Sequence, residues 1–182
     1  MEEEKKLVVL FPGRNYSCDK PLLYYAGQVF RTRGYDVIRL NYNTILKGDK
    51  ENVEGLIDEA WPYVRDQLAK VDFSAYRDIV FVSKSMGTTL AGRAEEHFNI
   101  IVRHIFLTPI KSALKYMRTG RCIVIAGKND KMLEERRLRI YAAQENIALK
   151  QFDDVGHSLE CFDDISVTFA ILMVIVRMYN EF

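Results

Sequence analysis

Short apolar runs recur along this chain, separated by stretches with helical spacing, and that alternation limits the fold more than any other feature. The runs are Leu7–Phe11, Tyr35–Leu40, Ile79–Ser83, His104–Leu107, Cys122–Ala126 and Ile147–Phe152. Four of them, the first, third, fourth and fifth, are nearly all apolar, as strands buried on both faces of a parallel sheet must be. The second and sixth carry more polar residues and belong nearer the sheet edges. Between the runs, Leu22, Ala26, Val29 and Phe30 keep helical spacing, with Asp19 as N-cap and Pro21 in the first turn. Ile57, Ala60, Val64 and Leu68 repeat that spacing, and Pro62 is expected to interrupt and kink their helix. Met86, Leu90, Ala94 and Phe98 share one face of a third helix. Shorter helices fit Lys111 to Arg118 and Glu134 to Gln144. The last helix, about Asp163 to Tyr179, is apolar nearly all round, so deep packing is expected, with a homodimer face as the alternative.

Strands alternating with helices imply an α/β fold with right-handed crossovers. The expectation is a three-layer αβα sandwich around a six-stranded, mostly parallel sheet. At 182 residues the chain is read as one domain, 1–182, with residues 1–6 flexible. Lysine and arginine total 26 against 25 acidic residues, so the basic excess of a nucleic-acid binder is missing. Cys18, Cys122 and Cys161 are far apart in the sequence and fit neither a disulfide scaffold nor a zinc ribbon. The uncharged stretch from Ile165 to Val176 is well short of the ~20 residues of a membrane span. A soluble, cytoplasmic protein is expected, without metal, cofactor, nucleic-acid or membrane partner.

In parallel α/β sheets the ligand site lies beyond the carboxyl ends of the strands. The third run leads into Ser83-Lys84-Ser85-Met86-Gly87, a small-x-Ser-x-Gly turn entering a helix. Such a turn is so tight that the residues two before and two after the serine must be small, and it lifts the hydroxyl above the sheet. The fifth run is followed by Gly127-Lys128-Asn129-Asp130, where an acid can orient an imidazole. The sixth is followed by Asp153-Asp154-Val155-Gly156-His157, where a histidine can reach back as general base. Asp153, Asp154, Glu134 and Glu135 compete with Asp130 for the orienting role. Asp130 is preferred to Asp153 and Asp154 because it comes from a neighbouring loop, whereas they would need their own loop to fold back tightly.

With these residues in the order Ser85, Asp130, His157, the chain resembles the α/β-hydrolase superfamily from Leu7 onward, and among its members the small lidless dienelactone-hydrolase-like and short-chain esterase-like proteins. The resemblance implies Ser85 as nucleophile, His157 as base and Asp130 as acid. It also implies an oxyanion hole made by the backbone N–H of Met86 and one from the loop Phe11-Pro12-Gly13-Arg14-Asn15, with Arg14 first and Asn15 second. Where many members have His-Gly, this chain has Pro12-Gly13. Thr108 to Arg121 leaves no room for a cap domain, so the site should be open, with Asn41 to Asn52 as a small local lid.

The implied reaction is hydrolysis of a small or short-acyl carboxylic ester or thioester through an acyl-enzyme. A non-catalytic binding protein of the same fold, and a peptidase or acyltransferase using the same triad, are the alternatives. Asn15, Lys84 and Tyr16 are candidate substrate contacts, although Lys84, Arg14 and Lys128 read more simply as solvated cations. Of Tyr16, Tyr24 and Tyr25, at least two read as helix packing. Cys161, one turn from His157, reads as a buried small residue, His97 as a helix-surface residue and His104 as a strand start.

Overall fold

The computed structural model describes residues 4–48 and 52–182. Six strands form one sheet: β1 (Lys6–Phe11), β2 (Tyr35–Arg39), β3 (Asp78–Lys84), β4 (Arg103–Leu107), β5 (Cys122–Gly127) and β6 (Ala148–Phe152). Their order is β2-β1-β3-β4-β5-β6, and all five pairings are parallel. The polar runs do lie at the two edges. The apolar runs lie inside, where both faces are covered.

The helices are α1 (Pro21–Thr32), α2 (Val53–Leu68), α3 (Met86–Phe98), α4 (Glu135–Gln144) and α5 (Ile165–Glu181). Alternate residues of β1 divide the core. Leu7, Val9 and Phe11 pack with residues of α2 and α3, whereas Val8 and Leu10 pack with residues of α1 and α5. Leu138 and Ala142 of α4 cover Phe106 and Val124. Phe106 is in register with Ser83, which pairs with Phe11, so α4 lies on the same face as α2 and α3. The result is a three-layer sandwich.

Several local expectations change. Lys6 is already in β1, and Arg77 N–H donates to Lys5 O; residues 1–3 lie outside the described residues. The N-cap of α1 is Lys20, and Asp19 instead pairs with Arg39. The α2 helix runs through Pro62 without interruption. Lys111–Tyr116 is a 3-10 segment and is all that occupies the position of a cap domain. The largest departure concerns α5. Only Ile171, Ile175 and Tyr179 of that helix are buried, while Ile165, Phe169 and Met173 are 63%, 59% and 58% exposed. A uniformly apolar sequence cannot show which of its faces meets the core. None of the described helices is long and apolar enough to cross a membrane.

Candidate active site

The sheet order reverses beside β1, which places the loop after β1 next to the turn after β3, the crevice where parallel sheets bind ligands. At that turn Ser85 has φ 54° and ψ −124°. Left-handed backbone is costly for a residue with a Cβ, so the surroundings must hold it. Gly87 shows how. A Cβ there would lie 2.5 Å from Pro12 O and 2.6 Å from Phe11 O, so only glycine lets the start of α3 press against the β1 loop. Ser83, the other small position, is fully buried between Phe11 and Phe106.

The other two loops are joined just as tightly. A Cβ on Gly127 would lie 2.2 Å from Val155 O, and beside it Asn129 N–H donates to Val155 O at 3.0 Å and Lys128 N–H to Phe152 O at 2.9 Å. That seam brings Asp130 to His157. Asp130 Oδ2 is 2.8 Å from His157 Nδ1, and His157 Nε2 is 2.7 Å from Ser85 Oγ. An ionised carboxylate only accepts hydrogen bonds, so Nδ1 carries the proton and Nε2 accepts from the serine hydroxyl. The second carboxylate oxygen of Asp130 accepts from Met132 N–H at 2.8 Å. Asp130 is buried, whereas the imidazole is 29% exposed and Ser85 is half-buried, so solvent reaches the serine end of the line.

The competing acids lie elsewhere. Asp153 pairs with Lys128 in solvent, Asp154 is exposed, Glu134 stands at the start of α4 without a side-chain capping bond, and Glu135 pairs with Arg139. His97 is exposed; His104, buried in β4, bonds Glu95.

On the other side of Ser85, Gly13 and Tyr16 close a tight turn through two backbone bonds, Gly13 N–H to Tyr16 O and Tyr16 N–H to Gly13 O. Arg14 and Asn15 form its tip, with Asn15 exposed at φ 56°. Tyr42 and Asn43 pin this loop from below, through bonds to Pro12 O and Gly13 O. Tyr42 is fully buried, so the described part of the Asn41–Asn52 loop is anchored; Asp49, Lys50 and Glu51 lie outside the described residues. Met86 heads α3, where the first-turn amides have no helical acceptor.

Two candidate substrate contacts are engaged inside the protein. The Tyr16 hydroxyl accepts from Leu22 N–H at 3.0 Å, and burial holds that phenol well above its ordinary range. Lys84 is neither solvated nor turned toward a ligand. It is 2% exposed, and its Nζ donates to Thr108 Oγ1 at 2.5 Å and to His157 O at 2.6 Å. Burial pushes its ammonium down to about 8, opposed by the charges of Asp130 and Glu160. Tyr24 and Tyr25 are exposed on α1, packed edge to face, and Cys161 is half-buried against the α1 and α5 side of the core. Sequence reasoning missed Gly127 and Thr108. The only local sign of Gly127 was a glycine ending an apolar run. Among the described residues no cluster of three or more His, Cys, Asp or Glu side chains is arranged to hold a metal.

A six-stranded parallel sheet without a cap, an elbow serine and a histidine loop after the last strand define the α/β-hydrolase fold. The chain superposes on solved structures of that fold. One is a putative α/β-superfamily hydrolase from Xanthomonas campestris, with TM-score 0.66 and 13% identity over 98% of this chain and 100% of that one. Another is Est1E from Butyrivibrio proteoclasticus with ferulic acid bound, with TM-score 0.66 and 13% identity over 98% and 88% of the two chains. A third is an esterase from Pyrococcus furiosus, with TM-score 0.60 and 14% identity over 96% and 83%. No protein-family model and no curated protein matches the sequence.

Proposed function

We propose that this protein is a serine hydrolase that cleaves a small or short-acyl carboxylic ester or thioester through an acyl-enzyme. The observation that carries this reading is the unbroken hydrogen-bond line from Ser85 through His157 to Asp130, with its serine end half-buried on a left-handed turn. A serine hydroxyl is a weak nucleophile until a base takes its proton, and His157 Nε2 lies in position to take it. Ser85 Oγ then bonds the acyl carbon while the proton passes to Nε2. Asp130 stabilises the imidazolium that forms. The amides of Met86 and Arg14 are the proposed donors to the tetrahedral oxyanion, and one such donor is worth roughly 2.7–4 kcal/mol. The bond to the leaving alkoxide or thiolate breaks as His157 returns the proton to it. Water, activated by the same imidazole, releases the acid and restores Ser85.

The preference for short chains follows from the open site. A long acyl chain gains ~0.8 kcal/mol per buried methylene only where walls exist to bury it. The 3-10 segment Lys111–Tyr116 stands where a cap would build such walls. The test is labelling by a fluorophosphonate together with a screen of esters and thioesters of graded acyl length. Labelling and turnover should both vanish in Ser85→Ala. Turnover that survives in pure Ser85→Ala, or a parent that neither labels nor turns over any ester, would refute the reading.

A further inference from the structure

Lys84 precedes the elbow serine and leads away from the surface. Its ammonium lies among Thr108 from the end of β4, His157 from the loop after β6, and the ring of Tyr16, whose centroid is 5.1 Å from Nζ. The charges facing it are Asp130 and Glu160, and Nζ forms no ion pair with either. Two N–H bonds and a ring face therefore surround a cation that a core would ordinarily exclude. Its main-chain acceptor belongs to the residue that must present an imidazole to Ser85.

Thr108 supplies a second, independent observation. It is fully buried and has φ 41°, a conformation that a β-branched residue rarely adopts. Its N–H is held by Ile125 O at 2.7 Å, and in this backbone its hydroxyl meets Lys84. A buried charge that bridges the hydroxyl of a strained residue and a carbonyl of the histidine loop forms a built contact, not incidental packing.

We propose that Lys84 is a positioning residue of the reaction centre: its ammonium fastens the backbone carbonyl of His157 to the hydroxyl of Thr108 and so fixes the imidazole against Ser85. This rests on the serine-hydrolase reading. The fixed cation also opposes the positive charge that the imidazole gains on taking the serine proton or on being protonated in acid.

The experiment compares the parent with Lys84→Met, Lys84→Gln and Thr108→Val. Lys84→Met keeps the length and removes donor and charge. It should lower kcat roughly 10- to 100-fold with KM little changed, as expected for a reacting group displaced by a fraction of an ångström. It should also move the acid limb of the pH–rate profile to higher pH, because a like charge has gone. Lys84→Gln keeps an N–H donor, so it should recover part of kcat while keeping the shifted limb. A purely packing role would move neither the limb nor the Gln rescue. Thr108→Val cuts the other end of the clamp with the shape preserved, and should lower kcat several-fold even if Lys84→Met fails to fold. A full kcat in Lys84→Met or Thr108→Val, or an acid limb that stays in place in Lys84→Met, would overturn the proposal. Hydrogen exchange over residues 153–160 provides a readout free of turnover. It should quicken in Lys84→Met or, should that variant not fold, in Thr108→Val. Unchanged exchange overturns the proposal even where the parent is inactive and the hydrolase reading has failed.

Discussion

Replacing Asp130 by asparagine should nearly silence the enzyme, and the geometry says why a change so small does so much. The two carboxylate oxygens have fixed duties: Oδ1 accepts from Met132 N–H and Oδ2 accepts from His157 Nδ1–H, each at 2.8 Å. An amide has one oxygen for these two donors. If the oxygen turns to His157, the NH2 group faces the Met132 amide, donor against donor, in a buried place. If the oxygen stays with Met132, the NH2 group faces Nδ1, which must then accept. The proton moves to Nε2, and the imidazole becomes a donor toward Ser85 at the point where a base is required. The second arrangement satisfies every buried group, so it wins. The fold survives and the base is lost. A comparable change in a serine protease costs ~10⁴ in kcat, equivalent to about 5.5 kcal/mol of barrier. The assay is kcat on a short-chain nitrophenyl ester, with circular dichroism and melting temperature as controls for folding. Asp153→Asn and Asp154→Asn should leave kcat near the parent, since Asp153 is exposed beside Lys128 and Asp154 is also in solvent. An Asp130→Asn enzyme within tenfold of the parent would refute the reasoning.

Two further outcomes follow from packing and charge. Gly127→Ala would place a Cβ 2.2 Å from Val155 O, so the seam between the Asp130 and His157 loops must open; melting temperature and kcat should both fall, and an alanine variant with parental values would refute this account of the seam. Burial lowers Lys84 in the folded chain to about 8, below its unfolded value. Between those two values the unfolded chain binds the additional proton, so this residue makes stability rise with pH from about 8 into the ordinary lysine range, by roughly 3 kcal/mol. Denaturant melts over that range should show Lys84→Met losing the rise relative to the parent, and parallel curves would refute it.

The strands were legible because burial on both faces leaves a mark in sequence. Val8 and Val9 point to opposite sides of β1 and both must be apolar. The same reasoning put the polar runs at β2 and β6, the sheet edges. That Ser85, Asp130 and His157 each follow a strand could be read from the runs before them. Their distances of 2.7 and 2.8 Å could not, because these depend on Gly87 and Gly127 admitting a neighbouring backbone. Lys84 was misread for a related reason. A lysine beside a surface turn looks solvated, and only the third dimension reveals a carbonyl and a hydroxyl waiting below it. Asp19 had the chemistry of an N-cap, yet Arg39 from the next strand claimed it. In α5 the sequence carries no polar stripe from Ile165 to Val176, so nothing in it separates the face that meets α1 from the face that meets water.

The span of the bonds that close the structure has a bearing on the order in which the molecule matures. His157 bonds a serine 72 residues earlier in the chain, and the hydroxyl of Tyr179 reaches Leu22 O, 157 residues earlier. Synthesis runs from the amino end, and domains begin to fold while it proceeds. The elbow can therefore be assembled from β1, β3 and α3 while its base is still being made. A ribosome-bound chain ending before the sixth strand holds a serine with no partner to take its proton. On the proposed mechanism, the base comes only with the segment after Ile147, and that segment also supplies α5 to cover α1. If Ser85 is the nucleophile as proposed, it gains its base as this face of the core closes, and a chain stopped before His157 leaves it unactivated.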